Sequence, residues 1–113
     1  MTNGGKMKKL ILIFLFCVIF AACQKQIDFD AQKWQKGKSR YQMTTSLIAK
    51  LDAEKPNKTE VLSLLGRPAL EERVLEKEIS YFLKADGFIS GWELCIYFDD
   101  NGNYKSAEVS YFD

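Results

Sequence analysis

The chain contains no histidine. That removes the commonest general acid–base near neutral pH and the commonest metal ligand. Only two prolines occur, Pro56 and Pro68, and each stands where a helix has to stop. Cysteine is sparse as well: Cys17, Cys23 and Cys95. The first two fall in or at the end of an apolar leader, which leaves Cys95 alone in the rest of the chain, so no internal disulfide is expected there. Neither sign of charge dominates, with 16 basic and 15 acidic side chains in 113 residues. Lys6, Lys8 and Lys9 belong to the leader, so the remainder is slightly acidic. It offers neither the basic footprint of a nucleic-acid binder nor a polybasic membrane surface. No internal repeat is evident, and the length is that of one domain.

A long hydrophobic run is also missing. Residues 10–20 are unbroken apolar, and extension to Cys23 adds only Ala21 and Ala22. Eleven helical residues rise about 16 Å, against a hydrocarbon core of roughly 30 Å. Lys8-Lys9 in front and Gln24-Lys25-Gln26 behind complete the pattern of a cleavable signal peptide over residues 1–22 rather than a permanent span. Met7 makes a better start for it than Met1. Phe20-Ala21-Ala22-Cys23 resembles the bacterial lipobox, an aliphatic residue and two small ones before a cysteine. The resemblance implies cleavage after Ala22 and a covalent diacylglycerol and N-acyl lipid on Cys23. Each buried lipid methylene contributes about 0.8 kcal/mol, so several chains give lasting attachment. Gln24 is not the aspartate that retains such proteins at the inner membrane in enteric-type bacteria, so the outer membrane, facing the periplasm, is the expected location.

Residues 23–39 are largely polar, and their composition reads as a tether to a domain over residues 40–113. Met43, Leu47, Ile48 and Leu51 lie on one helical face, and Lys55-Pro56 ends that helix. Asn57 and Glu60 have the spacing of a capping box for a second helix that closes at Gly66-Arg67-Pro68. Residues 74–84 read as a strand from the alternation of Ile79, Tyr81 and Leu83, with a loop marked by Gly87 and Gly91. Trp92, Leu94, Ile96 and Phe98 alternate with Glu93, Cys95 and Tyr97 in a second strand. Asn101-Gly102 supplies the turn. Residues 104–112 return as a third strand with Ala107, Val109 and Tyr111 inward. The expected fold is α+β: two N-terminal helices packed on a three-stranded antiparallel meander.

The phrase from Glu60 to Pro68, the strand Ile79-Ser80-Tyr81-Phe82 and the hairpin around Phe98-Asp99-Asp100-Asn101-Gly102 resemble the SmpA/OmlA (BamE-like) domain of small outer-membrane lipoproteins. The likeness covers about residues 58–111. It implies that two-layer fold, shared with beta-lactamase-inhibitor-like domains, and a non-catalytic scaffold or accessory role among envelope proteins.

No residue set has the pattern of an enzyme. Asp99, Asn101 and Asn103 match the first ligand positions of a calcium loop, but Tyr104 and Ser110 occupy the places that require Gly and Glu. Cys95 has no histidine to activate it. Glu71, Glu72, Glu76 and Glu78 are interleaved with Arg73 and Lys77, as on a solvated, ion-paired segment. Phe88, Ile89 and Trp92, in or beside a glycine-bounded loop, are the candidate protein-binding residues. The expectation is an envelope protein partner, membrane attachment through the lipid, and no metal, cofactor or nucleic acid. A periplasmic binding or inhibitor module for a soluble enzyme or small ligand is the alternative.

Overall fold

A computed structural model describes residues 26–113 of the chain. The signal peptide, the cleavage after Ala22 and the lipid on Cys23 lie outside the described residues.

Among the described residues there are three α-helices, and at two of them a side chain satisfies backbone N–H groups left free at the N-terminus. Asp30 opens α1 (Ala31–Gln35) by accepting from the N–H groups of Gln32, at 2.9 Å, and Lys33, at 3.1 Å. A 3-10 turn, Tyr41–Met43, leads into α2 (Thr44–Glu54), with the Thr44 hydroxyl donating to the Tyr41 carbonyl at 2.7 Å. Met43, Leu47 and Leu51 recur every four residues and are fully buried, one stripe running from the 3-10 turn along that helix. It ends at Lys55, which turns left-handed at φ 47° ahead of Pro56. In α3 (Lys58–Leu65) the Asn57 side chain accepts from the Glu60 N–H at 2.8 Å, while Glu60 reaches back to the Asn57 N–H at 3.2 Å. Both halves of the capping box are thus made. Gly66 then adopts φ 80° and ψ 172°, a region essentially reserved for glycine. This turns its carbonyl to accept from the Tyr81 hydroxyl at 2.7 Å.

The strands β1 (Glu78–Ala85), β2 (Gly91–Phe98) and β3 (Tyr104–Phe112) form one antiparallel sheet in the order β1-β2-β3. Ile79 pairs with Ile96 and Ile96 with Ala107; Tyr81 pairs with Leu94 and Leu94 with Val109. Partners in a ladder share a face, so this row is one side of the sheet. The helices cover it, and Leu47, Leu51, Val61 and Leu65 meet Ile79, Tyr81, Leu94 and Ile96 in a single core. The architecture is therefore α+β, an open three-stranded antiparallel sheet with helices on one face.

The structure revises several expectations. Residues 26–39 do not behave as a tether. Trp34 is 0% exposed and lies at the centre of the core, its ring edge-on to Tyr81 with centroids 5.7 Å apart. Ile27 and Phe29 pack beside it. Polar neighbours made these three look isolated, but each is a large apolar anchor, and truncating a buried tryptophan to alanine typically costs about 3–5 kcal/mol. Among the described residues the helical layer consequently has three α-helices, not two.

The first strand begins at Glu78 rather than Val74. Residues 71–73 make a 3-10 turn, and Val74 bridges back to Ile79 instead. Gly91 belongs to β2, not to the loop.

Two register shifts change facings as well. One, between Phe82 and Lys84, sets Lys84 opposite Trp92, with its Nζ 4.0 Å from the centroid of the Tyr41 ring. The other, between Tyr97 and Phe98, sets Phe98 opposite Tyr104 and buries Tyr104. Tyr111 shares the inner face by register but remains 44% exposed at its margin.

Candidate binding site

The opposite face of the sheet carries Ser80 and Phe82 from β1, Glu93, Cys95 and Tyr97 from β2, and Glu108, Ser110 and Phe112 from β3, in the alternate register positions. Among the described residues no helix covers it. Residues 67–75 instead pass from the end of α3 along the outer edge of β1 and lean onto this face. Arg73 makes that contact: its guanidinium donates to Glu93 Oε2 at 2.8 Å and stands 5.9 Å from the Phe112 ring centroid.

Between this strap and β1 lies a cavity of about 220 Å³, bordered by Arg40, Arg67, Arg73, Phe82, Glu93 and Phe112, among others. The three arginines arrive from two segments, Arg40 from ahead of α2 and Arg67 and Arg73 from the strap. Arg40, just ahead of α2, donates from Nε to the Trp34 carbonyl at 2.8 Å and from Nη1 to the Phe82 carbonyl at 3.2 Å. Its guanidinium also lies 4.7 Å from the Trp34 ring centroid. Partial burial pulls its pKa down, yet a guanidinium stays charged at any physiological pH. Arg67, beyond Gly66, is paired bidentately with Glu71, at 2.9 and 2.7 Å. That hydrogen-bonded pair raises the arginine and lowers the carboxylate. Both side chains are solvated, so the pair fixes geometry more than it adds stability.

Each arginine keeps at least one N–H group outside these bonds. Phe82, 53% exposed, supplies an apolar wall. The arrangement can hold an acidic group beside an apolar or aromatic one.

Cys95 lies under the outer face beside Ser80 and Glu93. Its Sγ is 3.9 Å from Ser80 Oγ and 3.7 Å from Glu93 Oε1. Burial is the main cause that pushes its thiol up, which makes it a weak nucleophile. Beside it, Tyr97 donates to Glu108 at 2.7 Å, and that hydrogen bond holds its phenol well above the usual range.

The three candidate residues Phe88, Ile89 and Trp92 are not brought together as one surface. Phe88 and Ile89 form the tip of the β1–β2 hairpin and are 102% and 74% exposed. Trp92 is half-buried at the hairpin base, packed between Tyr41 at 5.8 Å and Tyr111 at 5.0 Å between ring centroids.

In the other turn the carboxylate of Asp99 accepts from the N–H groups of Asn101, at 2.9 Å, and Asn103, at 3.0 Å. Among the described residues no three His, Cys, Asp or Glu side chains converge as metal ligands.

Of the glutamate run, Glu71 pairs with Arg67, while Glu72 and Glu76 face solvent.

The arginine-bordered cavity is the feature that sequence reasoning missed. Arg67 and Arg73 flank Pro68 within one short stretch, but nothing in the sequence links them to Arg40 or to the two phenylalanines. No family model, curated protein or solved structure matches the chain.

Proposed function

We propose that the chain is a lipid-anchored envelope lipoprotein that acts as a non-catalytic scaffold or accessory protein at the outer membrane, as the likeness to the SmpA/OmlA (BamE-like) group implies. On this reading Cys23 carries the anchor and the domain faces the periplasm. The partner is an envelope protein that docks over the uncovered face of the sheet, placing an acidic side chain among Arg40, Arg67 and Arg73 and an apolar one against Phe82. The observation that carries it is this sheet face, which no α-helix overlies among the described residues and which the 67–75 strap covers only in part, with an exposed phenylalanine beside three arginines. Aromatic and arginine side chains are the types that dominate binding energy at protein interfaces.

The test is crosslinking in living cells with a photoreactive phenylalanine analogue at position 82, followed by identification of the adduct. A discrete envelope protein is expected, and Arg73→Glu in the same chain should reduce its yield at least tenfold. Absence of any adduct, or yields indifferent to Arg73→Glu, would remove the docking surface. Intact mass of the exported protein checks the anchor. Lipid on Cys23 is expected, and a Cys23→Ala variant should leave the membrane fraction.

A second reading is a periplasmic module that inhibits a soluble enzyme. The exposed Phe82 on an open sheet face favours it equally, and a soluble adduct partner would establish it instead.

A further inference from the structure

We propose that the β1–β2 hairpin tip is a second membrane contact: Phe88 and Ile89 enter the interfacial layer of the same bilayer that holds the lipid on Cys23, an inference that rests on the anchored reading above.

The geometry starts from the chain's N-terminal approach. The Ile27 N–H donates to the Gln42 carbonyl at 3.0 Å. The adjacent Tyr41 packs edge-on against Trp92, and Lys84 Nζ lies over the Tyr41 ring. Lys84 and Trp92 are paired across β1 and β2 at the foot of the hairpin tip. The first described residues and the base of the tip therefore belong to one end of the domain. Cys23 precedes Ile27 by four residues, and four residues span at most about 14 Å. A bilayer that holds Cys23 must pass within that distance of Ile27. Phe88 follows Lys84 by four residues, so the tip lies within a comparable distance of that end.

The composition of this end fits a lipid surface. The two side chains at the tip are large, apolar and exposed. They need no structural explanation, because the tip closes on itself: the Asp86 N–H donates to the Ser90 carbonyl at 2.9 Å, and the Ser90 hydroxyl donates back to the Asp86 carbonyl. Behind them sit Tyr41, Trp92 and Tyr111, amphipathic rings of the kind enriched where apolar and aqueous zones meet. Lys84 and Asp86 offset one another there, so the contact does not depend on anionic lipid. Two side chains are too small a patch for a stable protein interface, which buries about 800 Å² on each partner. They suffice beside an anchor that already holds the tip at high effective concentration near the membrane. The contact would act on orientation: with the tip lowered, the strands stand away from the surface and present the uncovered sheet face sideways to the periplasm.

The acylated protein, extracted as the cell makes it and reconstituted in phosphatidylethanolamine–phosphatidylglycerol vesicles, provides the test. A nitroxide is placed on Ile89→Cys, and on Asn101→Cys at the opposite turn, both in a Cys95→Ser background. The oxygen-to-nickel accessibility ratio is expected to be several-fold higher at position 89 than at 101. Equal, water-like ratios at both sites in a chain whose mass shows lipid on Cys23 would overturn the inference and leave the anchor intact. A tip that becomes shielded only after envelope proteins are added would assign it to a protein partner and likewise overturn the membrane contact. A chain without lipid would sink both readings together. Hydrogen exchange of the unlabelled protein guards against misfolding of the cysteine variants. The amides of residues 86–90 should be slowed several-fold on vesicles, and Phe88→Ser with Ile89→Ser should abolish that slowing; exchange equally fast with and without vesicles overturns the proposal.

Discussion

The sheet ends in two turns built on opposite principles. At one end, residues 99–103 are stitched down by polar groups. Asp99 accepts from two backbone N–H groups with its carboxylate and from the Gly102 N–H with its carbonyl. Gly102 sits at φ 80°, where a side chain would strain the backbone. Its carbonyl in turn accepts from the Lys58 N–H at the start of α3, so turn and helix brace each other. Tyr104, the first residue past this turn, donates to Asp52 on α2 at 2.6 Å. At the other end, residues 86–90 close only on themselves and, among the described residues, hydrogen-bond to no other element. They hold Phe88 and Ile89 in water. A turn that supports the fold spends its polar groups on backbone; a turn that exposes large apolar side chains leaves them free for a surface outside the folded chain, the role proposed above.

Three measurements sharpen this contrast, in descending order of effect on stability. Asp99→Ala orphans two backbone donors and unfastens the turn from α3. It should lower unfolding free energy by about 1–2 kcal/mol, read as a shift of the urea midpoint at constant slope.

Next comes alkaline titration. The Tyr104 phenol is raised by burial first and then by its bond to Asp52; Tyr81 and Cys95 are raised mainly by burial. The unfolded chain loses these protons at the ordinary values, near pH 9–10 for such groups, while the folded chain keeps them. Above that range the unfolded state binds fewer protons, so stability is intact below it and falls as pH rises. Tyr104→Phe should cost about 1 kcal/mol at neutral pH and flatten the alkaline decline.

The smallest effect belongs to the apolar tip. Phe88→Ser with Ile89→Ser should change stability in solution by less than about 0.5 kcal/mol. A loss as large as that of Asp99→Ala would mean that the tip helps hold the fold, and the contrast between the turns would collapse.

Much of the fold was legible because its signals are local. The capping box of Asn57 and Glu60 spans four positions, and a hydrogen bond between neighbours needs no tertiary context. The alternation in β2 separated Leu94 and Ile96 from Glu93 and Tyr97 correctly for the same reason. Reading failed where one large side chain outweighed its surroundings. Composition averaged Trp34 away among lysines and glutamines, although burial free energy follows the area of the individual group. Nor does strict alternation through Ile79, Tyr81 and Leu83 foresee the register shift that sets Lys84 opposite Trp92. Trp34 also carries a cost invisible in sequence: its buried Nε1 has no hydrogen-bond partner among the described residues.

The candidate site was the least legible part. Phe88 and Ile89 could be picked out as loop residues of unusual bulk, but not that Trp92 would leave them for a stack between Tyr41 and Tyr111.

Sequence alone determined the Asn57–Glu60 helix cap, the polar turn and the alternation within β2, since each depends on residues within a few positions of one another. Only the tertiary structure decided that Trp34 would seat at the core, that Arg40, Arg67 and Arg73 would meet at one cavity, and that the apolar tip would share an end with the chain's N-terminal approach. The reason is physical: those outcomes depend on which surfaces are left uncovered once distant segments have packed, and no local rule carries that information.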